Sequence, residues 1–145
     1  MGYIKIWIHV VWTTKTRKPI LTRDIRKQVF DHIHENANDK GIYIDFLSGY
    51  LEHVHCLISL GSGQNIDKIV MLLKGESSYW INKVKLIPEK FEWQDDYFAV
   101  SVSESVVDRV RNYIRNQEEH HRKESFHKEY NEFMHKYGFD KFLSG

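Results

Sequence analysis

The chain has 145 residues, of which 41% are hydrophobic and 14% aromatic, and its formal net charge is +1. This length fits a single domain over residues 1–145, and the composition excludes wholesale disorder. No segment reaches the roughly 18 consecutive apolar residues of a membrane span, and the N-terminal segment lacks the layout of a signal peptide, so we expect a cytoplasmic location. The chain also lacks the large basic excess that many nucleic-acid-binding proteins carry.

The first half of the chain predicts a β-α-β-β order. Residues 3–12 form an alternating apolar run that suits a strand. Thr22 is a candidate helix cap, and apolar residues then recur at helical spacing until Gly41 ends the helix. Two further strands are predicted at residues 42–50 and 53–60.

The second half predicts a helix, a strand and two more helices. The helix extends from about residue 65 to 84 and is interrupted or bent near Gly75, and the strand covers residues 97–102. One of the last two helices carries Tyr113, and the other extends from about residue 123 to 137. The order β-α-β-β-α-β is the ferredoxin-like pattern, so we expect an α+β fold with additional C-terminal helices.

The third predicted strand carries two histidines on one face. His53 and His55 are two positions apart, so their side chains project the same way, with Cα atoms ~7 Å apart. The alternate positions form the apolar core face: Val54, Cys56, Ile58 and Leu60. Two imidazoles on the opposite, open face can share one metal ion. The alternative is that both are ordinary surface or hydrogen-bonded histidines.

A second polar pair lies on the helix after the last predicted strand. Tyr113 and Gln117 are four residues apart, which places them one turn apart on one helix face. A divalent cation bound by His53, His55 and Gln117 would keep open positions for a phosphate oxygen. Tyr113 would then be placed to attack that phosphate. Alternatively, Tyr113 is a helical aromatic residue packed on the sheet.

Three local groups of basic residues could neutralise phosphates or form solvated surface. They are Lys15, Arg17 and Lys18; Arg23, Arg26 and Lys27; and Arg109, Arg111 and Arg115. We expect His120 and His121 to be exposed, although His121 shares the helix face of Gln117 and could be a further ligand or a proton carrier. Solvent is the expected environment of His32, His34, His127 and His135, and His9 has no assigned role.

Five segments occur in one characteristic order. They are His9–Pro19, His53–His55, Lys74–Ser78, Trp93–Phe98 with Ser101–Ser103, and Tyr113 with Gln117. Together they resemble the HUH-superfamily single-tyrosine transposases of small bacterial insertion sequences, the IS-two-hundred-like group that includes the REP-associated tyrosine transposases. Lys74–Ser78 matches the Lys-Gly-x-Ser-Ser signature of that family. Asp96 departs from the family pattern, which more often has glycine before the tyrosine.

The resemblance implies a metal-dependent enzyme that cuts and rejoins single-stranded DNA. A Mg²⁺ or Mn²⁺ ion held by His53, His55 and Gln117 would polarise the scissile phosphate, and Tyr113 would attack it to give a covalent 5′-phosphotyrosine. The substrate would be single-stranded DNA with a hairpin, bound across the sheet face. The resemblance also implies a homodimer in which the Tyr113 helix completes the metal site of the partner subunit.

Two other functions stay open at this point. One is a related nickase, such as a replication initiator, a relaxase or a domesticated REP-associated endonuclease. The other is a non-catalytic module that binds DNA or a protein, with the histidines as surface residues or a structural metal site. The helical spacing of Tyr113 and Gln117 disfavours the binding module.

Overall fold

The computed structural model describes residues 2–137, except for the side chains of Arg122 and Lys123. The elements are β1 (Trp7–Thr13), α1 (Arg23–Asp39), β2 (Tyr43–Gly49), β3 (His53–Ser59), α2 (Ile66–Val84), β4 (Phe98–Val102), α3 (Val107–Arg115), α4 (Gln117–Lys123) and α5 (Phe126–Lys136). The strands form one antiparallel sheet in the order β2-β3-β1-β4. This confirms the predicted ferredoxin-like α+β fold with additional C-terminal helices.

One face of the sheet packs against α1 and α2 and forms the main core. Its buried strand residues include Val10, Trp12, Val54, Cys56 and Ile58, and its buried helix residues include Val29, Ile33, Val70, Leu73 and Ile81. Burying one valine, leucine or isoleucine side chain stabilises the fold by about 1.5–3 kcal/mol. Cys56 is fully buried, as predicted, and burial raises the pKa of its thiol above the usual range.

The opposite face of the sheet is covered by the helices that follow β4. Two smaller apolar clusters join them to the sheet: one contains Trp7, Leu57, Val107 and Ile114, and the other contains Val11, Phe98 and Phe126. The prediction of an open face at His53 and His55 is therefore wrong, since both residues are 0% exposed. Strand alternation correctly predicts that both side chains point away from the main core. It does not predict that the helices after β4 cover them, because this covering depends on tertiary packing.

Several element boundaries differ from the prediction for identifiable reasons. β1 begins at Trp7 rather than residue 3, because both neighbouring strands end opposite Trp7, at Ser59 and Val102. α2 is one continuous helix, so the predicted interruption near Gly75 is wrong. A Cβ atom on Gly75 would meet no atom within 4 Å, which also rules out close packing as the role of this glycine.

None of the described helices is long and apolar enough to cross a membrane.

Between β4 and residue 137, where the described residues end, the chain forms three α-helices instead of the predicted two. Asn116, with φ −95° and ψ 27°, separates α3 from α4. Gln117 therefore begins a new helix rather than continuing the helix of Tyr113. The side chain of Ser125 then caps α5 by accepting a hydrogen bond from the backbone N–H of Lys128.

The Lys-Gly-x-Ser-Ser segment holds the loop that leads to β4. Nζ of Lys74 donates to the backbone oxygens of Gln94, Asp95 and Asp96, at 2.6, 3.0 and 3.1 Å. Three residues after Lys74, Oγ of Ser77 accepts a hydrogen bond of 2.8 Å from the indole of Trp93. The segment thus fixes the position of β4, and its interaction with Asp96 uses the backbone rather than the side chain.

Candidate active site

The site is built on β3, a strand hydrogen-bonded to a neighbour on each side. His53 and His55 project from it toward the helices that follow β4, and their ring centroids are 5.1 Å apart. Nε2 of His53 lies 3.0 Å from Oε1 of Gln117, which is also fully buried. The structure therefore brings together the three residues predicted to bind a metal.

The other ring nitrogen of each histidine has a partner of its own. Nδ1 of His53 lies 2.6 Å from Oε1 of Glu52, and Nδ1 of His55 lies 2.8 Å from Nε2 of His9. With the two Nδ1 atoms engaged, the two Nε2 atoms are left to bind a cation. Metal-binding histidines are held in this way, because the partner fixes both the ring orientation and the tautomer. His9, which had no assigned role, thus belongs to the site.

Burial keeps this pair of rings uncharged. It lowers the pKa of His55 to about 4. Burial lowers the pKa of His9 to about 3, and repulsion between the two rings when both are protonated acts in the same direction. Both imidazoles are therefore neutral at pH 7, which is the form of the ring that binds a metal.

The break between α3 and α4 places Gln117. The Gln117 side-chain amide donates a hydrogen bond of 3.1 Å to the backbone oxygen of Tyr113. Its Oε1 lies close to His53 and also 3.1 Å from Nε2 of His121. The amide group thus bridges the end of α3 and the histidines, with its oxygen directed at the imidazoles.

Tyr113 lies in the same site. Its ring centroid is 5.5 Å from that of His55 and 5.9 Å from that of Phe133. The tyrosine is therefore both packed on the sheet side and adjacent to the proposed metal ligands, so the two interpretations of this residue are not exclusive. Burial, together with the negative charge of Glu129, raises the pKa of the Tyr113 phenol above its usual range. The phenol is protonated at neutral pH, and a cation beside it would favour its ionisation.

Sequence reasoning missed a carboxylate that α5 brings into the site. Glu129 is 4% exposed, and its Oε1 lies 2.9 Å from Nε2 of His55. Its Oε2 lies 2.6 Å from Nε2 of His121 and 3.0 Å from Nε2 of His120. Burial alone would raise the pKa of Glu129, but contact with His121 and His55 outweighs it and lowers the pKa below the usual range.

The same contacts correct the prediction for the histidines of α4. The His121 side chain is 2% exposed rather than solvated, while that of His120 is 26% exposed. The four-residue spacing from Gln117 to His121 was the available signal. For Glu129 the signal was an acid within an apolar helical stripe, formed by Phe126, Tyr130 and Phe133. His32, also expected in solvent, stacks on Trp80 and pairs with Glu76.

The donor atoms of the site fit a divalent cation. His53, His55 and Glu129 each place one ligand atom within 4.8 Å of the others. Nε2 of His55 and Oε2 of Glu129 are buried and have no hydrogen bond of acceptable geometry. Six-coordinate Mg²⁺ has bonds of about 2.1 Å, which puts adjacent ligands about 3 Å apart. The 3.0 Å from His53 to Gln117 and the 2.9 Å from His55 to Glu129 match that spacing.

Most of the basic residues considered for phosphate binding are paired within the chain. Arg23 and Arg26 both bind Glu118. The remaining pairs are Lys15 with Glu92, Lys18 with Glu89, Lys27 with Asp31, and Arg111 with Asp45 and Asp108. Arg17 is placed differently, since its guanidinium lies over the rings of Phe126 and Tyr130, with 5.2 and 4.6 Å to the centroids.

A cavity of about 890 Å³ lies beside the site, between the sheet edge at β4 and helix α5. Its lining includes Thr13, Arg17, Tyr97, Phe98, Phe126 and Tyr130. Phe126 separates the cavity from the histidines, because its ring centroid is 4.1 Å from that of His53. An aromatic cavity is suited to stacking with a flat ligand such as a nucleotide base, and Arg17 and Asp96 give its wall one charged group of each sign.

Two solved structures have folds similar to that of this chain. A protein of Deinococcus radiodurans R1, described as a candidate transposase, has a similar structure, with a TM-score of 0.65 and 25% identity over 81% of this chain and 95% of that one. A REP-associated tyrosine transposase, described as bound to a REP hairpin, shares the fold, with a TM-score of 0.60 and 20% identity over 83% of this chain and 72% of that one. No curated protein matches the chain. The family model described as "Transposase IS200 like" matches residues 3–117, and the chain therefore belongs to the IS200-like transposase family.

Proposed function

We propose that this protein is a metal-dependent transposase that cuts and rejoins single-stranded DNA through a covalent bond to Tyr113. The observation that carries the proposal is the convergence of His53, His55 and Gln117 beside Tyr113 in one buried site. The four residues come from two different parts of the fold, β3 and the helices after β4. Family membership supports the transposase class, and the site chemistry supports the mechanism.

The protein's own residues position a Mg²⁺ or Mn²⁺ ion. His53, His55 and Gln117 would hold it through two ring nitrogens and one amide oxygen, while Glu52 and His9 keep the two rings in orientation. When bound, the ion supplies Lewis-acid polarisation of the scissile phosphate. Burial of the site strengthens every charge interaction in it, because water is excluded.

Tyr113 supplies the nucleophile. Its phenolic oxygen forms a bond to phosphorus while the bond from phosphorus to the 3′ oxygen breaks, and that oxygen takes a proton and leaves as a 3′-hydroxyl. The phenolic proton is lost in the same reaction. A 3′-hydroxyl, from the same strand or another, then attacks the phosphotyrosine and releases Tyr113. The energy of the phosphodiester bond is kept throughout, so rejoining requires no nucleotide cofactor.

The substrate in this proposal is single-stranded DNA with a hairpin near the end of the mobile element. Because α3 and α5 cover the sheet face next to the histidines, we place the strand along the cavity beside the site rather than across an open sheet. Arg17, Phe126 and Tyr130 offer stacking and a positive charge there. Such binding suits a chain whose net charge is only +1.

We further propose a homodimer with active sites shared between subunits. Helices α3, α4 and α5 follow the β-α-β-β-α-β unit, and a short 3₁₀ turn, Glu104–Val106, connects them to β4. This arrangement permits exchange of the helices between two copies of the chain, because the sheet and its main core do not depend on them.

The decisive experiment uses labelled single-stranded oligonucleotides that cover the DNA flanking the gene. Purified protein is incubated with each strand and either Mn²⁺ or EDTA, and the products are separated on a denaturing gel. We expect a Mn²⁺-dependent protein–DNA adduct that disappears in Tyr113→Phe and persists in Tyr79→Phe, a control at an exposed tyrosine of α2. A gel shift on hairpin strands without any adduct would favour the binding module, and an adduct that persists in Tyr113→Phe would exclude the proposed nucleophile.

A further inference from the structure

We propose that Glu129 is a fourth protein ligand of the divalent cation, supplied by helix α5. This inference deepens the proposed function and rests on it, because it concerns the same metal centre. The family match ends at residue 117, so Glu129 lies outside the segment from which family residues can be transferred. The role of Glu129 is therefore argued from its surroundings in this chain.

The position of the carboxylate is the first argument. Glu129 is 4% exposed, and its Oε1 lies 2.9 Å from Nε2 of His55, the nitrogen left free by the contact between His55 and His9. Despite this proximity, Nε2 of His55 has no hydrogen bond of acceptable geometry. Nε2 of His55 and Oε1 of Glu129 thus lie about 3 Å apart without a hydrogen bond of acceptable geometry between them. This is the spacing of two neighbouring ligand atoms on one small cation.

Charge is the second argument. Two neutral imidazoles and one amide oxygen bring no negative charge to a divalent ion, and burial of an uncompensated charge is costly. The carboxylate of Glu129 offsets one unit of that charge, and it is a hard oxygen ligand of the kind that Mg²⁺ and Mn²⁺ prefer. Four protein ligands would still leave room on a six-coordinate ion for the phosphate.

The main alternative is a structural ion pair. Oε2 of Glu129 lies 2.6 Å from Nε2 of His121, and this contact alone could hold α5 against α4. The two roles differ in a measurable way. A structural pair would stabilise α5 with or without metal, whereas a ligand would make metal affinity depend on the carboxylate.

A ligand on α5 also connects metal binding to closure of the site. Phe126 packs on His53, and Phe133 packs on Tyr113, with ring centroids 4.1 and 5.9 Å apart. When Glu129 binds the ion, α5 is held over both histidines and the nucleophile. We therefore expect metal binding to protect the backbone amides of α5 from hydrogen exchange.

The test compares Mn²⁺ binding by the full chain and by three variants. Glu129→Gln keeps the shape and removes the charge, while Glu132→Gln makes the same change at an exposed position of α5. His53→Ala removes a proposed ligand of the centre. By isothermal titration we expect Glu129→Gln to weaken Mn²⁺ affinity by about tenfold or more, Glu132→Gln to have no effect, and His53→Ala to abolish binding.

The outcomes separate this inference from the proposed function. Unchanged affinity in Glu129→Gln, together with loss of binding in His53→Ala, would overturn the role of Glu129 and leave the metal centre in place. Absence of Mn²⁺ binding by the wild-type protein would overturn both. Hydrogen exchange of the wild-type protein provides a second test that requires no variant. Protection of α5 on addition of Mn²⁺ supports the inference, and unchanged exchange in α5 contradicts it.

Discussion

Nδ1 of His55 lies 2.8 Å from Nε2 of His9, and the two rings stack with centroids 5.0 Å apart. The contact is diagonal across two strands, since His55 of β3 is paired with Val11 of β1, and His9 is two residues before Val11. Diagonal neighbours on one face of an antiparallel pair are within reach of long and aromatic side chains. The partner that orients His55 is therefore supplied by the strand register within the sheet, and not by the helices that cover the site.

We predict that His9→Phe weakens Mn²⁺ affinity by about 10-fold to 100-fold, because His55 loses the partner that fixes its ring and tautomer. His9→Gln retains an acceptor for Nδ1 of His55 and is expected to keep more of the affinity. Isothermal titration with Mn²⁺ measures both variants, and His34→Ala on α1 is the control. Equal affinity in wild-type protein and His9→Phe, with both folded, would show that His9 only fills space.

The alternation of β3 was sufficient to predict that His53 and His55 share a face, because side-chain direction in a strand is a local property. Their burial could not be predicted in the same way. It depends on Phe126 and Phe133, which pack on the site from a helix about seventy residues away in the sequence. Local patterns do not report which helix face meets which sheet face.

The boundary at Asn116 illustrates the same limit on a smaller scale. Apolar spacing predicted one helix through Tyr113 and Gln117, and the four-residue spacing does bring them together. The chain nevertheless begins a new helix at Gln117. Asparagine has a low helix propensity and is often found at helix ends. Asn116 was therefore a weak signal for a helix boundary, but the prediction followed the stronger pattern of apolar residues.

The Lys74 ammonium is expected to be important for stability rather than for chemistry. Lys74→Met removes the donor for three backbone oxygens and should lower the free energy of unfolding by about 2–3 kcal/mol. Urea denaturation measures the change, and Lys68→Met is the control, since Lys68 is exposed on the same helix. Unfolding free energies that agree within about 0.5 kcal/mol would contradict this role for Lys74.

Arg17 is expected to contribute to DNA binding through the cavity beside the site. Arg17→Ala removes a guanidinium that lies over Phe126 and Tyr130, so we expect single-stranded DNA to bind roughly fivefold more weakly, which corresponds to about 1 kcal/mol. The control is Lys83→Ala. It also removes one positive charge lying over a tyrosine, but on α2, which packs on the opposite sheet face.

Fluorescence anisotropy of a labelled strand measures both affinities at one fixed salt concentration, because phosphate contacts are salt-dependent. Equal losses in the two variants would indicate a general charge effect. They would exclude the cavity as the path of the strand.

The proposal of shared active sites makes a prediction for mixed subunits. Tyr113→Phe lacks the nucleophile and His53→Ala lacks a metal ligand, so neither protein should cleave DNA alone. If the Tyr113 helix of one subunit completes the site of the other, a mixed dimer has one site with all the required residues and one that lacks both. An equal mixture that exchanges subunits freely should then recover about a quarter of wild-type activity.

Cleavage of the hairpin strand is measured for each variant, for the mixture and for the double variant Tyr113→Phe/His53→Ala mixed with wild-type protein. Both mixtures are unfolded and refolded together, so that subunits exchange. The last mixture is the converse test, because a mixed dimer of this kind has no complete site when sites are shared. In a freely exchanging 1:1 mixture its activity should also fall to about a quarter of the wild-type value, rather than to about half. No recovery in the first mixture, with activity near half in the second, would mean that Tyr113 works with the histidines of its own chain. That is the arrangement within one chain, where the ring centroids of Tyr113 and His55 are 5.5 Å apart.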